Sequence, residues 1–224
     1  MDDQRYGDAR GWWIFWYLAM ENISLGGKPE KDPNDCLIGK AEVIRRIQAA
    51  DARSSPVLLS YRDEILDFVE NVDWAAYIID PEALKAGDIP IRFATHQNQA
   101  VLLLGTVFSD TVFNNANQAM NTPKKRAAAF AQREVLPTLL KSRLTDRLRA
   151  AEFGYVGLIF AYGNRNFVTD EHWAMPESLC LVMSTRDFTA FVNRELSQEA
   201  LVKNSPVFLA SEGPKFVRVE LTLE

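Results

Sequence analysis

The chain has 224 residues, 47% apolar and 25% charged, with a net charge of −5. Both fractions lie near the average for soluble globular proteins, and a chain of this length buries roughly 70% of its unfolded surface, so no metal or disulfide is needed to hold it together. The acidic balance excludes nucleic-acid binding over the whole surface and leaves room only for a local contact.

The first feature in chain order is an unbroken apolar run, Trp12 to Met20, with five large rings at Trp12, Trp13, Phe15, Trp16 and Tyr17. It is too short for the ~20 residues of a membrane helix. Asp2, Asp3 and Asp8 before it have the wrong sign for a signal peptide, and no small-residue cleavage site follows. A cytoplasmic protein without membrane attachment is therefore expected. On a helix these rings point in several directions, so the segment is either buried in the core or shared with another chain through Trp12 and Trp16.

Gly26 to Asn34 reads as a polar linker. Asp35 is placed to cap a helix through Ala50, with Leu37, Ile38, Val43, Ile44 and Ile47 on its apolar face. Val57 to Ser60 reads as a short strand. Arg62 to Val72 reads as a helix with Ile65, Leu66, Phe68 and Val69 inward and Asp63, Asp67 and Glu70 on a solvated acidic face. Trp74 to Ile79 reads as a strand, closed by Asp80-Pro81-Glu82, a good helix start. Ile91 to Thr95 and Ala100 to Phe108 form a strand pair around a His96-Gln97-Asn98-Gln99 loop. Asp110 to Met120 has weak helical character because Asn114, Asn115 and Asn117 are poor helix formers.

Thr122-Pro123 then opens a long basic helix running to Ala151, which Pro137 should kink or split. Between Lys124 and Arg149 eight cations face only Glu134 and Asp146, which leaves about +6 here and about −11 elsewhere. Leu136, Leu140, Leu144 and Leu148 recur every four residues as a core-facing stripe. Lys124, Lys125 and Arg126 fall in the first turn, where the helix dipole disfavours positive charge. Arg143 and Arg147 are neighbours on one face. These five cations are candidate contacts for an acidic partner; the alternative is a solvated flank whose long side chains cover apolar edges.

Beyond it, Tyr155 to Tyr162 and Ser178 to Met183 read as strands around a long loop, Gly163 to Glu177. That loop gathers Arg165, Asp170, Glu171 and His172, the weak candidates for a catalytic site, with His172 able to act as acid or base near neutral pH. A helix from Asp187 to about Leu196 follows, then strands at Val207–Ala210 and Phe216–Leu223. The helix is long enough for the strands at 178–183 and 207–210 to pair in parallel.

No dinucleotide fingerprint, phosphate loop, HExxH or GxSxG occurs. Cys36 and Cys180 lack partners at metal spacing, so both read as packing residues, and no metal or cofactor is expected. The whole describes one α+β domain over 1–224, divisible into a helix-rich part (1–151) and a strand-rich part (152–224), with helices on a mixed sheet. The leading expectation is a non-enzymatic protein that docks a macromolecular partner or itself. A small-molecule hydrolase or transferase built on the 163–173 loop is the alternative, and local nucleic-acid binding by the basic helix the third.

Overall fold

The computed structural model describes residues 37–50, 56–71, 76–78, 89–117, 121–143, 152–168, 175–211 and 215–223. They form an α+β fold around one mixed, eight-stranded sheet. The strands are β1 (Leu37–Gly39), β2 (Ala76–Ile78), β3 (Ile91–His96), β4 (Gln99–Asn114), β5 (Phe153–Arg165), β6 (Met175–Ser184), β7 (Val207–Ala210) and β8 (Val217–Val219). The helices are α1 (Lys40–Ala49), α2 (Pro56–Ser60), α3 (Arg62–Asn71), α4 (Pro123–Phe130), α5 (Leu136–Lys141), α6 (Thr185–Val192) and α7 (Gln198–Asn204).

β4 is the centre of the topology. One of its sides carries β3 along residues 99–104 and then β2 at Val107, both antiparallel. Gly105 lies where the two partners change over: its N–H donates to the Pro90 carbonyl at 2.6 Å, and a Cβ there would stand 2.9 Å from Pro90 atoms. The β3–β4 turn is tighter than the four-residue loop expected. Gln97 and Asn98 both take positive φ, 51° and 60°, the requirement of a two-residue turn whose twist matches that of the strands.

The other side of β4 pairs in parallel with β5, the one parallel ladder among the described strands. β5, β6, β7 and β8 then follow antiparallel. The expected parallel pairing of the strands at 178–183 and 207–210 is thus corrected. A single helix would carry the chain back to the start of β6; α6 and α7 form two successive helices, which return it to the end where β6 finished.

Other local expectations shift as well. Leu37 and Ile38 pair with β2 as a strand, so the helix starts at Lys40 after Gly39 rather than at a cap on Asp35. Residues 57–60 are helical, with Pro56 in the first position that proline tolerates. β4 runs through Asn114, absorbing part of the weak helix expected from Asp110. The loop expected over 163–177 is shorter, because β5 extends to Arg165 and β6 begins at Met175. Of the alternating C-terminal segment 216–223, Val217–Val219 forms the strand.

The basic helix forms a rod over 123–141. Thr122 caps it, its hydroxyl accepting from Lys125 N at 3.3 Å. Pro137 does perturb it: a π-helical turn, Ala131–Val135, separates α4 from α5, and Leu136 N–H reaches back five residues to the Ala131 carbonyl. A wider turn relieves the ladder where proline brings no N–H and crowds the preceding turn. The rod ends at Lys141, Ser142 being extended. Leu136 is buried and Leu140 partly so; Leu144 and Leu148 lie outside the described residues.

Strand alternation divides the core in two. Leu102, Leu104, Leu158, Phe160, Leu179, Leu181 and Met183 face one side, where Val43, Ile47, Phe68, Phe130, Leu139, Phe188 and Leu201 pack on them from the helices. Val101, Leu103, Ile159, Cys180 and Val182 form a second buried cluster. Among the described residues no helix contributes to that second cluster.

Candidate functional site

The chain leaves β4 at Asn114, reaches the rod at Thr122, and later leaves β5 at Arg165, so these three points meet at the carboxyl end of the parallel pair. Open sheets with parallel strands characteristically place ligands at this end. Asparagine amides stitch it together. Asn114 Oδ1 accepts from the N–H groups of Ala116 at 3.0 Å and Phe167 at 3.3 Å, and Asn115 N–H donates to the Arg165 carbonyl at 2.9 Å. Asn121 donates through Nδ2 to the Asn114 carbonyl. Short amide side chains satisfy turn backbone readily, which is why an asparagine-rich stretch forms a strand end and turn rather than a helix.

Beneath this turn lies a closed ion pair. Arg126, 3% exposed, and Glu177, 1% exposed, bond in bidentate fashion: Nη2 donates to Oε1 at 2.6 Å and Nε to Oε2 at 3.0 Å. Asn164 Nδ2 adds a third donor to Oε1 at 2.9 Å, and Arg126 Nη1 donates to the Asn121 carbonyl. The pair ties the rod to β6 while β5 supplies the amide. Tyr162 packs beside it between Phe130 and Phe113, at ring-centroid distances of 4.4 and 5.5 Å. Burial first, and the Glu177 charge second, push the Tyr162 phenol up and keep it protonated. The Tyr162 hydroxyl, Asn164 Oδ1 and Arg165 Nε are buried without a hydrogen-bond partner among the described residues.

The arrangement has little capacity for acid–base chemistry. Its cation and anion neutralise each other, and its phenol is held in the neutral form. Among the described residues no group of three or more His, Cys, Asp and Glu is placed to hold a metal ion.

The candidate residues separate accordingly. Arg126 was expected beside Lys124 and Lys125 as a partner contact, but it turns inward to Glu177. Lys124 and Lys125 remain exposed. Arg143 is exposed beyond the end of α5, where its backbone N–H donates to the Asn71 carbonyl at 3.0 Å. Arg165 is half-buried, its guanidinium 4.9 Å over the Phe167 ring. Trp12, Trp16, Arg147, Asp170, Glu171 and His172 lie outside the described residues.

Sequence reasoning missed Glu177, Asn164 and Tyr162. A carboxylate opening an apolar strand was the one available signal. It also missed two exposed apolar side chains next to Arg165, Phe167 at 51% and Val168 at 83% exposure.

Comparison with protein-family models, with curated proteins and with solved structures finds no match to the chain. No described helix is long and apolar enough to cross a membrane.

Proposed function

We propose that the protein works without catalysis of its own, by docking an acidic, partly apolar protein segment at the carboxyl end of the β4–β5 pair. The observation that carries this reading is the unequal treatment of three adjacent cations. Arg126 is buried and neutralised by Glu177, whereas the Lys124 and Lys125 side chains stay exposed, with no ion pair among the described residues. Positive charge in a first helical turn is unfavourable by about 0.3–1 kcal/mol, and the first turn itself carries no acid to offset it. Phe167 and Val168 stand nearby, held to the same turn through Asn114. Cations bordering exposed apolar groups suit a partner that offers carboxylates beside apolar side chains. A second copy of the chain, acidic outside the rod, is one such partner.

Lys124→Glu with Lys125→Glu separates docking from folding. Acids at a helix N-terminus are favourable, so the double variant should be as stable as the parent or more so by about 0.3–1 kcal/mol. Its affinity for a fluorescent peptide of alternating Glu and Leu should fall roughly tenfold or more as attraction becomes repulsion. Unchanged affinity in the folded variant counts against the reading. Tighter binding of duplex DNA, weakening steeply with salt, replaces the protein partner with a polyanion.

A further inference from the structure

One described element of the chain has the composition that the patch at Lys124 and Lys125 calls for. On α3, Asp63, Leu66, Asp67 and Glu70 follow the spacing i, i+3, i+4, i+7 and stand along one face of the helix. Asp63 and Glu70 are exposed, Leu66 and Asp67 half-buried, which sets one apolar side chain among three carboxylates. Glu70 falls in a last turn without a basic residue of its own; Lys40 of α1 serves that terminus, its Nζ donating to the Glu70 carbonyl at 2.7 Å. Like the two lysines of α4, Glu70 carries a charge opposed to the dipole of its helix.

The two patches do not meet within one molecule. Just before α3, the Tyr61 hydroxyl donates to Glu152 at 2.9 Å and the Tyr61 ring lies 4.7 Å from Phe153, the first residue of β5. At the other end of α3 the Asn71 carbonyl accepts from Arg143, just beyond the rod. α3 therefore lies at the amino end of β5, whereas Phe167 and Val168 follow its carboxyl end, about 40 Å away along the strand. The rod, about 28 Å long, likewise separates Lys124 from Asn71. We infer that the occupant of the docking patch is α3 of a second copy, so that the chains associate head to tail. This rests on the docking reading above and names its partner. The α3 carboxylates meet Lys124 and Lys125, and Leu66 meets Phe167 and Val168, each apolar group bordered by paired charge. Both helices are already formed, which spares the cost of ordering a flexible segment. With the two patches at opposite ends, the contact repeats from copy to copy until a ring closes.

Sedimentation velocity tests the contact. At low salt the parent should form species that grow with concentration and dissociate as salt screens the charges. Lys124→Glu with Lys125→Glu reverses one end and Asp67→Lys with Glu70→Lys the other; each variant alone should self-associate roughly tenfold or more weakly. Mixing the two should restore the larger species, because every reversed end then faces one of opposite sign. An α3 variant that associates as the parent does overturns the inference. So does a parent that stays monomeric yet binds the peptide of alternating Glu and Leu, in which case the docking patch stands without this occupant. A parent that neither associates nor binds the peptide overturns both. Should the α3 variant not fold, carbodiimide cross-linking of the parent between isotopically distinct copies decides: bonds from Lys124 or Lys125 to Asp63, Asp67 or Glu70 support the contact, and their absence overturns it.

Discussion

Arg126 and Glu177 are 51 positions apart, and their pairing shows how a charge visible in the sequence acquires a direction only in the fold. Removing one partner strands the other in an apolar site, so Arg126→Met alone should destabilise the protein by about 3–5 kcal/mol. Replacing both, as Arg126→Met with Glu177→Leu, should recover most of that loss, because a buried pair contributes little net stability when an apolar pair fills the same space. Denaturant unfolding of the two single variants and the double variant measures the coupling. His96 makes a separate contribution. Burial, then the charge of Arg218, lowers its pKa below the ordinary 6.5, while the ring packs edge-on against Tyr155 at 4.9 Å. The unfolded chain therefore binds more protons than the folded one below about pH 6.5, and stability falls as pH drops through that window. His96→Asn should flatten this part of the stability–pH profile relative to the parent, as read by thermal unfolding between pH 7 and 5. The sequence marked Arg126 as a cation of the first turn. It could not show that Glu177, at the mouth of a distant strand, would reach it.

At the scale of elements, the cap at Thr122 was legible, the cap expected at Asp35 was not the one used, and extent was not legible. Thr122 was recognised as an N-cap and is one; Thr122→Ala should cost about 1 kcal/mol, read from the midpoint of chemical unfolding with unchanged slope. Ser184 and Ser197 do the same for α6 and α7, accepting from Asp187 N at 2.9 Å and Ala200 N at 3.2 Å. Such caps act within four residues, so a local pattern can reveal them; it did so at Thr122, while Ser184, Ser197 and α7 itself were missed. Strand length depends on a neighbour elsewhere in the chain. β4 continues to Asn114 because β5 runs alongside it to Arg165, a fact absent from the helix propensity of 110–114. The candidate site was legible only in outline: Arg165 was flagged as part of a loop but ends a strand, and the exposed lysines were seen without the asparagine turn that positions them.

For the whole molecule, the α+β class and helices packed on a mixed sheet follow from the order of patterns along the chain, and the structure has both. The strand order does not follow from it, since β2 and β3 share one side of β4 and the parallel β5 takes the other. Apolar residues at consecutive positions, such as Val101 to Leu104, signal burial on both faces of a sheet, and the two clusters divide them by alternation. The outer strands carry a last consequence. β1 and β8 are three residues long, and next to Val217, itself 54% exposed, stands the cation Arg218. Residues 216–223 have the alternation for a strand more than twice that length, yet the strand covers only Val217–Val219. Short margins with a charge on them give a second sheet little to add to at these two ends.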